Sequence, residues 1–193
     1  MKSLICKKAA GVIIILLINS GAIHAADLKY GFMGLQWRTD LSSSPDFVKI
    51  DEQNGVQNFI RPSVVHSVGD INIFPVIYSS FGNEFFAAYF EKDILIFGRL
   101  RNFFNQEFGP SATTTRLNPR RTTDIWNHHD TKIKIEVNRE TGELKLSVYY
   151  TPLSAKVNEL RLEAYQQNTR RFLDRIDKDR AIEKFDMINN RRW

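Results

Sequence analysis

The sequence predicts an α+β fold, an antiparallel sheet packed by one helix in two layers, with a long C-terminal helical extension. Residues 132–148 contain two runs of polar–apolar alternation around a glycine-bearing turn. Residues 93–108 repeat large apolar side chains at helical spacing and run into Gly109-Pro110, and residues 152–193 are charged and helix-favouring. A period of two marks a strand with one buried face and a period near 3.6 marks a helix, so both element types are written in the chain.

Taken in order, the chain opens with Lys2, Lys7 and Lys8, runs apolar from Ala9 to Ile18, and reaches small residues at Gly21-Ala22 and Ala25-Ala26. This is the pattern of a secretory signal over residues 1–25. Its apolar run is about half of the roughly 20 residues needed to span a hydrocarbon core. The expected layout is therefore a signal (1–25), an α+β domain (26–150) and a charged helical extension (151–193). The expected location is outside the cytoplasm, periplasmic in a Gram-negative bacterium or otherwise extracellular.

Three of the lysines behind the net charge of +5 lie in the signal, which leaves +2 for the rest. Residues 27–150 carry 14 basic and 15 acidic side chains, so no field there favours a polyanion, and nucleic acid is not an expected partner. Cys6 is the only cysteine. Without the signal the chain has no thiol, which removes disulfides, Cys-ligated zinc and thiol catalysis together.

Strands are expected over 56–61, 71–79 and 85–91, where aromatic and β-branched residues cluster. Pro75 demotes the second to an edge or splits it, because proline cannot donate to a ladder. Ser42-Ser43-Ser44-Pro45 reads as a loop or helix start, and Asp51-Glu52 as a solvated turn. Asp93 is a helix N-cap, followed by Ile94, Phe97, Leu100, Phe104 and Phe108 along one face. Gly109 and Pro110 end that helix. Residues 111–122 read as a polar loop. Ile133, Ile135, Val137, Leu144, Leu146 and Val148 should share the buried face of the final hairpin, with Gly142 in its turn.

Phe32-Met33-Gly34-Leu35-Gln36-Trp37-Arg38-Thr39 forms an F-x-G-x-x-W-x-T opening. With Phe108-Gly109-Pro110, Trp126 and the closing hairpin, it resembles a group of small exported bacterial proteins without an established function. The resemblance covers about residues 29–150. It implies the α+β fold and export and transfers no catalytic residue. Relatives often carry glycine after the tryptophan, where this chain has Arg38.

Candidate sites are few. On a continuous strand Trp126, His128 and Asp130 share one face and His129 takes the other. Adjacent histidines so placed cannot chelate together, so neither a metal nor a cofactor is expected. No G-x-S-x-G elbow, P-loop or dinucleotide fingerprint occurs, which favours a non-enzymatic role. Trp126 and His128, with the basic loop residues Arg116, Arg120 and Arg121, are the candidate ligand-binding residues. They support two alternatives: an envelope hydrolase or small-ligand site, and a binder of anionic envelope polymer.

The extension offers a partner surface. Leu153, Val157, Leu160 and Ala164 make one stripe, continued less regularly by Phe172 and Ile176. Its expected partner is another envelope protein or a second copy of the chain. Arg191-Arg192-Trp193 suggests membrane contact.

Overall fold

The computed structural model describes residues 28–118 and 120–189. The expected signal and the Arg191-Arg192-Trp193 terminus lie outside them.

Short opening strands β1 (Gly31–Phe32) and β2 (Leu35–Gln36) pair with each other. They precede β3 (Val48–Gln53) and β4 (Val56–Ile60), a separate hairpin of β5 (His66–Val68) and β6 (Ile71–Ile73), and then β7 (Ile77–Phe81) and β8 (Glu84–Asp93). Helix α1 (Phe97–Phe108) follows, then β9 (Thr113–Asn118), β10 (Arg121–His128), β11 (Thr131–Asn138), β12 (Glu143–Tyr150) and helix α2 (Thr151–Asn189). Eight strands form one sheet in the order β3-β4-β7-β8-β12-β11-β10-β9, antiparallel throughout. The molecule is α+β, as expected.

The final hairpin forms in the register that the alternation demands. Ile133 faces Val148, Ile135 faces Leu146 and Val137 faces Leu144, and all six are buried. Gly142 takes φ +72 in the connecting turn, a backbone state that costs glycine nothing. On this face of the sheet lies the main core, where α1 lays Leu100 and Phe104 against Trp126 and the hairpin. Asp93 caps as expected, its carboxylate accepting the N–H of Leu95 at 2.8 Å, but the turn it caps is a 3-10 turn over Ile94–Ile96 that leads into α1. Gly109 ends the helix at φ +80.

Pro75 splits the expected strand over 71–79 into β6 and β7. Residues 111–122 are not a loop: Thr113–Asn118 pairs with β10 as the edge strand β9. A threonine run is β-branched and suits an edge whose outer side is wet, which composition alone reads as a loop. Asp51 and Glu52 likewise lie on the opposite edge strand β3, not in a turn; Asp51 accepts from Asn58 Nδ2 and Glu52 from Lys49 Nζ. Strand β10 stops at His128, so Asp130 does not continue the Trp126–His128 face.

Arg38 stands at φ +72, a left-handed conformation that glycine adopts without strain and other side chains rarely take. Its N–H donates to the Phe85 carbonyl at 2.8 Å and its guanidinium pairs with Glu84. Trp37 stacks on Phe85, and its indole N–H donates to the Leu28 carbonyl, which also accepts from Thr131 Oγ1 at 2.7 Å.

Candidate functional site

Helix α2 begins where β12 ends, with the Thr151 N–H bound to the Asp130 carbonyl. It turns back onto the sheet face opposite α1. There Val157, with Leu153, packs on Val56, Phe86 and Ala87, bordered by Phe81, Tyr149 and Tyr150. A bulge in β8 makes that patch: Ser79 pairs with Ala87 and Ser80 with Phe85, so Phe86 is the extra residue. It points Phe86 and Ala87 to the same side while Phe85 stays in the main core. The Lys156 ammonium lies over the Phe81 ring and closes the rim of the contact.

Burial ends there. Leu160, expected in the same stripe, is already 40 % exposed. Beyond it Leu162, Tyr165, Phe172 and Leu173 are 57, 69, 60 and 53 % exposed. Leu162, Tyr165, Thr169, Phe172 and Ile176 recur at alternate spacings of three and four, so they share one face of the helix. At about 100° per residue that face is turned roughly 120° from the one carrying Leu153 and Val157. Of the five expected partner-binding residues, Leu153 and Val157 therefore hold the helix to its own sheet. Leu160, Phe172 and Ile176 lie past the docked base. Leu162, Tyr165 and Leu173 were missed by following the docked stripe outward instead of starting a second one at Leu162.

The other candidates do not converge. Trp126 is 1 % exposed and belongs to the core; its indole N–H donates to the Gly109 carbonyl at 3.0 Å and reaches Asn105 Oδ1 at 3.3 Å. That bond ties the end of α1 to the sheet and leaves no indole surface for a ligand. Asp124, two residues earlier, is equally buried, accepts from Thr114 Oγ1 at 2.6 Å, and has Arg101 Nε 2.9 Å away. Arg116 lies on β9, and its side chain is outside the described set. Arg120 pairs with Glu140 in the β10–β11 region. Arg121 borders a shallow depression of about 300 Å³ with Lys145 and the carboxylates of Glu91, Glu136 and Glu143. Three acids against two bases do not make an anion site.

The three described histidines fall into two separate groups. His66, on β5, takes the Tyr78 hydroxyl on Nε2. Tyr78 is fully buried, and burial raises its pKa against the opposing pull of Arg61, so the phenol donates and the imidazole accepts. Burial, with Arg61 nearby, pulls His66 from 6.5 down to about 4. Arg61 is held by Asp46 at 3.3 Å and lies over the Phe47 ring. His128 instead packs on Phe108, ring centres 5.4 Å apart, and its pKa is lowered by burial and by the charge of His129. Expectation and structure part at His129. Its backbone turns to φ +51, and the two imidazoles stand side by side with centres 4.5 Å apart, not on opposite faces. Among the described residues no three or more His, Cys, Asp or Glu side chains converge as a metal group, and no helix is long and apolar enough to cross a membrane.

Compared with protein-family models, curated proteins and solved structures, the chain finds no match.

Proposed function

We infer that the chain is an exported, non-enzymatic protein-interaction module that presents a partner surface on α2 between Leu162 and Ile176. The observation that carries this reading is the run of exposed apolar side chains at Leu162, Tyr165, Phe172 and Leu173, on a helix that Leu153 and Val157 anchor at its base. A helix of 39 residues reaches about 58 Å, far beyond the footprint of Leu153 and Val157. Exposed aromatic and aliphatic side chains aligned on one face are the anchors that helix-in-groove recognition uses. Over residues 159–178 five basic and four acidic side chains nearly cancel. That balance favours a protein groove over an anionic bilayer, whose attraction depends on a net positive helix. Export is the reading of the N-terminal segment and supplies the compartment in which the partner is met.

A photo-crosslinking side chain placed at 165 or 172, compared with one at 170 or 174, tests the surface in cells. Adducts should form from the apolar positions and be at least several-fold weaker from the polar ones. Equal yields from both faces, or loss of residues 158–193 leaving every association unchanged, would sink the reading.

A further inference from the structure

We propose that His128 and His129 together form a two-imidazole site for a divalent transition-metal ion, with copper(II) preferred. Consecutive residues on a strand point to opposite faces, so neighbouring histidines ordinarily act alone. Here β10 ends at His128, and His129 sits in the two-residue turn before β11 at φ +51. Histidine is among the few side chains enriched in that left-handed region. The turn swings the second ring beside the first, with centres 4.5 Å apart and planes at 77°.

That separation matches the chemistry. With imidazole nitrogens about 2.1 Å from a metal and ring centres about 1.1 Å farther out, two rings on adjacent positions of a tetragonal ion lie roughly 4.5 Å apart. The Phe108 ring packs edge-on against His128 at 5.4 Å, while His129 is exposed to solvent. Two neutral nitrogen donors without a converging carboxylate suit copper(II) and nickel(II) and offer little to calcium or magnesium, which take oxygen. Water completes the coordination. Copper(II) ranks first for any such donor pair. His66 belongs to the Tyr78 cluster and has no part in the site.

The test uses the untagged chain, titrated calorimetrically with copper(II), nickel(II) and magnesium in a non-coordinating buffer. One copper ion per chain should bind, nickel more weakly and magnesium not at all, and the copper EPR spectrum should carry the splitting of two nitrogens. His129→Asn keeps a residue that tolerates positive φ, and His128→Phe keeps a ring against Phe108. Each should weaken copper binding by at least about tenfold with little change in melting temperature, because each deletes one of two donors. His66→Gln should bind as the unmodified chain does. The proposal is overturned if copper does not bind below about 1 mM, a bare −4 kcal/mol of affinity, or if His129→Asn, still folded, binds undiminished. In either case the ring pair is only an aromatic contact on Phe108.

Discussion

Acidification should remove stability through His66, and the size of the loss follows from its surroundings. The imidazole accepts the Tyr78 hydroxyl on Nε2 and faces the Arg61 guanidinium, which Asp46 holds in place. Both contacts require a neutral ring. Its pKa falls from 6.5 to about 4 on folding, so between those values the unfolded chain takes up a proton that the folded chain refuses. The His66 contribution is complete above about pH 6.5, declines as pH falls, and is gone below about 4. At pH 4.5 the full gap would be worth roughly 2.5 kcal/mol. The ring is only half-buried, and solvent screening brings this to about 1–1.5 kcal/mol. Other carboxylates titrate over the same range, so the measurement is a difference. Urea denaturation followed by tryptophan fluorescence at pH 7.5, 6, 5 and 4.5, on the unmodified chain and on His66→Gln, isolates the term, since glutamine can still accept from Tyr78. The unmodified chain should lose about 1–1.5 kcal/mol more than the variant between pH 7.5 and 4.5. A difference that stays constant with pH would refute the assignment of His66 as a neutral, half-buried acceptor.

Three substitutions probe other joints of the structure. A Cβ at Gly31 would meet the Leu35 carbonyl oxygen at 1.8 Å, so Gly31→Ala should open the β1–β2 turn and lower the melting temperature by several degrees, on the order of 2–4 °C per kcal/mol in a chain of this size. Trp126→Phe keeps an aromatic ring but leaves the Gly109 carbonyl without its indole donor, at a cost of about 1–3 kcal/mol read by chemical denaturation. Val157→Asp puts a carboxylate on the apolar patch of Val56, Phe86 and Ala87; trypsin should then cut α2 at Arg161 and Arg170 at least several-fold faster while the sheet stays folded. A proteolysis pattern unchanged from the parent chain would mean that α2 is not rooted through Val157.

Elements with one dry face were readable in advance. The hairpin of β11 and β12 and the helix α1 each sort apolar from polar side chains at their own period, and each appears where that period placed it. The edges were not readable. Strand β3, Val-Lys-Ile-Asp-Glu-Gln, is exposed at every position and carries a bulge near Ile50, so no alternation records it. Strand β9 is half threonine and pairs on one side only. A ladder made by backbone groups leaves little trace in side-chain pattern when neither face is buried. The sites failed for related reasons. Trp126 was legible as important but its burial was not, because the covering residues come from α1 some twenty positions earlier. The His128–His129 contact depends on a strand ending two residues sooner than the continuous face through Asp130 requires, and boundaries are where pattern carries least information. On α2 the docked stripe was visible, but where docking stops depends on the extent of a patch created by the Phe86 bulge.

The strand order has a mechanical consequence for that helix. Strands β3, β4, β7 and β8 are laid down as one meander and β9 to β12 as another, and the two are joined in the sheet only where β8 meets β12, from Asp93–Glu143 to Ala87–Tyr149. The base of α2 sits across that seam, touching Phe86 and Ala87 on one side and Tyr149 and Tyr150 on the other. Helix α2 is therefore a lever whose fulcrum is the weld between the two halves of the sheet. A load applied near Tyr165 or Phe172 is delivered first to the β8–β12 hydrogen bonds, and the amides of that ladder are where tension on the helix would register.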